Sequence, residues 1–254
     1  MLENVFVQEA RTLKVFVISL KDSTTRRENA RAQLDRAGVP FEFFDGVRGD
    51  TALQQYFNGY DETEFVLNTG RYVTPGEIGC YASHLAMWRK CIELDEAIMI
   101  MEDDFLLDER FADAFGIVAA RTADLGYIRL QSETKGKKRL AEQFGTFRLW
   151  RYTRYPHSAM CYGIAPAVAK TFISSSAILT APIDVHVKKF WEHSHLMYGL
   201  TPYTVTESEA SNESTIQSRD KAKKPLLIRV RRVLRKLNWF LQRVRFNLAH
   251  PNPS

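Results

Sequence analysis

Short apolar runs alternate with longer amphipathic stretches over most of the chain. LKVFVISL, residues 13–20, is β-branched, aromatic and bounded by polar sequence, the pattern of a buried strand. A polar loop and RRENARAQLDRAG follow, which predict a helix closed by Gly38. FEFFDGV adds a second strand ending at Asp45-Gly46. Strand, helix and strand at this spacing predict the opening of a parallel α/β sheet.

Residues 49–74 are polar and Tyr-rich with no sustained period, so they predict an irregular excursion from that sheet. Pro75 then opens GEIGCYASHLAMWRKCIELD, where Leu85, Trp88 and Ile92 share a helical face with Ala86 and Cys91. Residues 97–101 form a strongly apolar strand followed at once by Glu102, Asp103 and Asp104. Beyond them the pattern predicts a helix over 111–123, a strand over 127–130 and an exposed loop or hairpin at SETKGKKRLAEQFGT. Strands at FRLWRYT and AMCYGIA flank a turn at residues 155–157. A helix over 167–176, the APID loop and a helix at VHVKKFWEHSHLM complete the body. No internal repeat is visible at solenoid spacing.

Composition narrows the class. A hydrophobic fraction of 45% with 16 Phe and 10 Tyr in 254 residues excludes a disordered or collagen-like chain. Three scattered cysteines make no disulfide framework or metal-knuckle spacing, so a reducing compartment is expected. The first 20 residues lack signal-peptide patterning, and no window reaches the length of a membrane span. The net charge of +5 conceals an asymmetry. From Arg219 onward there are 11 basic residues and one acidic residue, which leaves 24 basic and 29 acidic side chains in residues 1–218. The expected organisation is a body over 1–219 and a basic tail over 220–254.

The acid triplet is the most informative local feature. Contiguous carboxylates repel and need solvent, cations or donors nearby, and polar residues beyond the carboxyl end of a buried strand occupy the ligand edge of an α/β sheet. In extended backbone Glu102 and Asp104 point to one side and Asp103 to the other. The pair Glu102 and Asp104 can hold Mn²⁺ or Mg²⁺, with phosphate oxygens completing the shell, while Asp103 orients a sugar. An exposed acidic turn is the alternative.

Other candidates have equally plain alternatives. Ser83 and His84 can donate to a nucleotide or diphosphate, with Gly76 and Gly79 permitting close backbone approach; His84 can equally be a packed core histidine. Arg27 follows the first strand, as a phosphate contact or a solvated helical turn. Asp45 can meet a ribose or base, or close an Asp-Gly turn. Asp184 can accept a proton from an attacking hydroxyl or cap a helix. His186 is a possible additional ligand, and Asn212 and Ser214 are possible polar contacts in what also reads as a linker. No GxGxxG or P-loop accompanies these residues.

The ordered combination of VFVISLKDSTTRR, FFDGV, PGEIGCYASHLAMWRKCIE, IMIMEDDF, CYGIAPAVAKTFI and APID resembles glycosyltransferase family 25, the lipooligosaccharide biosynthesis galactosyltransferase group. The resemblance extends over residues 13–219. It implies a GT-A-like nucleotide-sugar-binding α/β fold with a mixed central sheet, with Glu102-Asp103-Asp104 as a variant of its acidic metal motif. It also implies an inverting transfer, commonly of galactose from UDP-galactose onto a lipooligosaccharide through a β-linkage. On that reading Asp184 is the base, and Arg27, Asp45, Ser83, His84, Glu102 and Asp103 face the donor. A non-catalytic α/β adaptor is the alternative.

The tail IRVRRVLRKLNWFLQRVRFNLAH sets Val230, Val233, Leu234, Leu237, Phe240, Leu241, Val244 and Leu248 along one helical face, with arginines and Lys236 largely elsewhere. This basic amphipathic helix is expected on an anionic membrane surface, bringing a cytoplasmic body to a lipid-linked glycan at the inner membrane. Packing against its own domain or a second copy is the alternative. No nucleic-acid-binding motif accompanies it.

Overall fold

A computed structural model describes residues 13–133, 135–208 and 226–251. The chain opens with β1 (Lys14–Ser19), α1 (Thr24–Ala37) and β2 (Glu42–Asp45), as the apolar runs predict. Residues 49–74, predicted irregular, instead fold into α2 (Gly49–Tyr56), β3 (Gly59–Tyr60) and α3 (Glu62–Thr69). These helices are eight residues each, too short for a periodic signal; α3 is fixed by its ends. Asp61 accepts from the Glu64 amide at 2.9 Å, and Gly70 closes the helix at φ +85°.

α4 (Pro75–Leu94) begins with a capping box, Thr74 and Glu77 each satisfying the other's backbone, with Pro75 in the first turn. β4 (Ile98–Glu102) and β5 (Phe105–Leu107) bracket Asp103 and Asp104. Next come α5 (Phe111–Leu125), β6 (Tyr127–Arg129), β7 (Lys137–Phe144), β8 (Phe147–Arg154), β9 (Cys161–Ile164) and α6 (Pro166–Ser174). β10 (Ile178–Leu179), α7 (Ile183–Lys188), α8 (Phe190–His193), β11 (Tyr198–Thr201), β12 (Val205–Glu207) and α9 (Leu226–Ala249) complete the order. The single helix expected after APID is thus two short ones, α7 and α8.

The main sheet has eight strands in the order β2-β1-β4-β9-β6-β11-β8-β7. β2, β1 and β4 run parallel, β9 runs antiparallel to both β4 and β6, and β8 antiparallel to β11 and β7. The sheet is therefore mixed, flanked by helices, and consistent with a GT-A-like architecture.

Alternation along the strands sorts the core into two layers. Phe16, Ile98 and Ile100 pack with Trp88 and Leu85 of α4 and Phe172 of α6. Val15, Val17, Met99 and Met101 pack with Leu34 of α1 and with Phe111 and Val118 of α5. Met99 and Ile100, adjacent in sequence, are fully buried against opposite helical layers. Parallel β1, β2 and β4 thus deliver Ser19, Asp45 and Glu102 to one edge of the sheet.

Candidate active site

The acid triplet sits where β4 leaves the sheet, and the pleat separates its members. Glu102 turns toward α4, where its Oε1 lies 3.1 Å from His84 Nε2 and 3.8 Å from Cys80 Sγ. Asp103 turns toward β1 and α1, accepting from Ser19 Oγ at 2.5 Å and from Arg26 at 3.3 Å. Asp104 has a buried Oδ1 with no hydrogen-bond partner. Its burial, and the charges of Glu102 and Asp103 beside it, push the carboxyl up to about 7.

A hard divalent cation would give the orphaned Asp104 oxygen a partner and relieve its repulsion with Glu102. A second donor set shares Glu102. Ligand atoms of Cys80, His84 and Glu102 all lie within 4.8 Å of one another and could hold a metal ion. Burial, reinforced by the Glu102 charge, raises the Cys80 thiol well above its ordinary range.

A buried relay holds Glu102 in place. Trp88 Nε1–H donates to the Tyr162 hydroxyl at 2.9 Å, and that hydroxyl lies 2.8 Å from His84 Nδ1. With the Tyr162 hydroxyl donating to Nδ1, His84 carries its proton on Nε2 and donates it to Glu102. This order satisfies each donor in the relay. His84 is therefore a positioning residue within the core, fully buried and stacked on Tyr162 at 5.7 Å.

Ser83 is also buried, accepting from the Val47 amide and donating to the Gly79 carbonyl, both at 2.8 Å. The close approach that the glycines permit is used internally. A Cβ on Gly79 would lie 2.5 Å from the Val47 carbonyl oxygen and 2.9 Å from the Gly49 amide nitrogen. Arg27 braces the β1 and β2 ends, donating to the Leu20 and Ser19 carbonyls and to Asp45. Asp45 keeps 58% of its side chain exposed beside that brace.

A cavity of about 610 Å³ opens beside Glu102, lined also by Cys80, Asp184, His157 and Lys188 and, from α9, by Arg232, Lys236 and Trp239. Asp184 stands in the first turn of α7, and its Oδ2 lies 2.8 Å from His157 Nδ1. Burial alone would raise this carboxyl, but the His157 hydrogen bond and the His157 and Lys188 charges outweigh it and hold it below its ordinary range. Lys188 Nζ lies 3.2 Å from His157 Nε2.

His186 is turned away from this cavity. It is buried against Tyr81, Trp88 and Phe172, and burial lowers its basicity well below the usual imidazole range. That placement makes it a core residue rather than a polar ligand. Asn212 and Ser214 lie outside the described residues. His157, Cys80 and Lys188 carry no spacing signal in the sequence. The β8–β9 turn and α7 bring His157 and Lys188 to the cavity.

An acidic strand edge and a neighbouring cavity thus meet on a mixed α/β sheet. Residues 12–187 match the family described as Glycosyltransferase family 25 (LPS biosynthesis protein), and the chain belongs to that family. Membership classes it as a glycosyltransferase.

It is 36% identical over 102 residues to the lipooligosaccharide biosynthesis protein lic2B of Haemophilus influenzae, covering 39% of this chain and 36% of that one. It is 35% identical over 98 residues to the lacto-N-neotetraose biosynthesis glycosyltransferase LgtB of Neisseria meningitidis, covering 37% and 33%. A glycosyltransferase 25 family member of Drosophila melanogaster is 30% identical over 144 residues, covering 51% and 22%. The chain thus spans about a third of the length of the first two relatives.

Proposed function

We propose that the protein transfers galactose from UDP-galactose to a lipid-linked glycan with inversion at the anomeric carbon, forming a β-linkage. The observation that carries this reading is Glu102, which stands both in the acid triplet and in the wall of the cavity holding Asp184. One side chain thereby joins a donor half, at the ends of β1, β2 and β4, to an acceptor half. The similarity to lic2B and LgtB supports an oligosaccharide acceptor.

Glu102 and Asp104, with Asp103 beside them, would hold Mn²⁺ or Mg²⁺, and such a cation neutralises charge developing on a departing diphosphate. Asp103 is aligned by Ser19 and Arg26, and Asp45 is exposed where a ribose would lie. Arg27 keeps Asp45 in position by linking it to the β1 end.

Asp184 accepts the proton of the attacking acceptor hydroxyl. The His157 hydrogen bond keeps its carboxylate ionised and orients it. Attack from the face opposite the leaving diphosphate gives inversion.

The outer face of α9 supports peripheral attachment to an anionic membrane. Val233, Leu234, Leu237 and Leu248 are all exposed, while no helix among the described residues is long and apolar enough to cross a membrane. That placement is on the cytoplasmic face of the inner membrane, where the lipid-linked acceptor is presented.

A UDP-release assay with UDP-galactose and a lactosyl or N-acetylglucosaminyl acceptor tests the reading. Turnover should require Mn²⁺ or Mg²⁺ and fall at least 100-fold in Asp184→Asn. Turnover unaffected by chelator, or unchanged in Asp184→Asn, contradicts it.

A further inference from the structure

The family match ends at residue 187, yet α9 supplies one wall of the cavity. The helix docks with a mainly polar stripe and leaves its apolar face outward. Arg235 pairs with both Glu64 carboxylate oxygens and donates to Asn68 Oδ1 at 3.0 Å. Phe246 packs on Phe190 at 5.1 Å, and Asn247 donates to the Thr153 carbonyl at 2.9 Å. These contacts fix the helix along its length.

Arg232, one turn before Arg235, does not spend its charge in the same way. It lies over Gly70 and donates to the Leu67 carbonyl at 3.4 Å. Lys236 is exposed at the cavity rim. Among the described residues neither forms an ion pair, whereas Glu77 and Asp184 on the facing wall have Arg71 and His157. Trp239 stands beside them, its ring 5.6 Å from Lys188 Nζ and 6.3 Å from Trp191. Lys188 in turn contacts His157, the partner of Asp184. The α9 wall therefore reaches the proposed base through Trp239, Lys188 and His157.

The donor half meets this cavity only at Glu102. Ser19, Arg26, Asp45 and Asp103 are absent from the lining of this cavity. Two cations without carboxylate partners, next to an aromatic ring, match a sugar that carries an anionic substituent. Arginine and lysine bind phosphate or carboxylate oxygens, and an indole face covers the apolar face of a sugar ring.

We propose that α9 is the specificity wall of the acceptor site. Arg232 and Lys236 hold a phosphate or carboxylate on the acceptor glycan, and Trp239 stacks on its sugar. The inference rests on the transferase reading above and adds the acceptor's charge to it.

Calorimetric titration of the full chain with glucose and with glucose 6-phosphate, alongside UDP with Mn²⁺, tests it. Glucose 6-phosphate should bind at least tenfold more tightly than glucose at low ionic strength. The double variant Arg232→Gln/Lys236→Gln should lose that preference and keep its UDP affinity within about twofold. Lys236→Gln alone, at an exposed position, should lose part of the preference at an unchanged melting temperature, which separates loss of charge from misfolding.

Equal affinity for the two sugars, or a preference that survives in the double variant, overturns the proposal. A parallel fall in UDP affinity also overturns it, because the cations then serve the donor's diphosphate. A wild-type chain that prefers glucose 6-phosphate but does not bind UDP supports the cationic wall and counts against the transferase reading instead.

Discussion

Replacing Tyr162 by Phe removes one oxygen from the centre of the relay that holds Glu102. The ring remains packed, stacked on Tyr127 at 4.9 Å and on His84 at 5.7 Å, so the effect is polar rather than a cavity. Two buried groups lose their partner: the Trp88 indole N–H and His84 Nδ1. A buried polar group left unsatisfied costs about 1–3 kcal/mol, so the variant should lose about 2–6 kcal/mol. For a chain of this size that is a fall of about 4–24 °C in melting temperature. Urea unfolding measures the loss, and the Trp88 indole N–H resonance reports the broken bond directly. His84 would also be free to reorient, so metal-dependent nucleotide binding should weaken in the folded variant. A loss below about 0.5 kcal/mol with an unmoved Trp88 resonance would refute the relay.

Three other outcomes follow from named contacts. Gly79→Ala should destabilise by about 1–3 kcal/mol, although Ala is ordinarily the better helix residue, because its Cβ would meet the backbone of residues 47–49; a stabilised variant in thermal melts would contradict the close approach. The Arg235 hydrogen bond and charge lower the Glu64 carboxyl below its usual value of 4.5. Its contribution to α9 docking is therefore fully present above about 4.5 and is lost as pH falls through the lower, folded value, and Glu64→Gln should remove this acid dependence of Trp239 fluorescence. Flotation with anionic vesicles should retain the full chain and release one lacking residues 226–254; equal behaviour of the two would refute membrane attachment through α9.

Sequence pattern revealed the parts of the fold that bury continuous apolar runs. β1 and β4 stand out because both of their faces are covered, and α4 because its cap and its apolar face agree. β7 was legible only as a loop or hairpin, since KKRLAEQF is an edge strand with mostly exposed side chains and no alternation to read. α9 was legible as an amphipathic helix, but its docking face was not. An apolar stripe ordinarily turns inward, whereas here a bidentate Arg235–Glu64 pair, Trp239 and Phe246 fix the opposite face. At the site, Glu102 was visible because a buried strand leads straight into it. His157 was not, because only the fold brings its turn against α7.

Binding of a nucleotide sugar at the acid triplet is directly measurable. Calorimetric titration of UDP-galactose into the wild-type chain and Asp104→Asn, each with Mn²⁺ and with chelator, measures that directly. The wild type should bind only with the metal present, and the folded variant should lose at least tenfold in affinity, since Asp104 Oδ1 is the buried oxygen without a protein partner. Binding that is equal with chelator, or equal in the variant, would contradict the account.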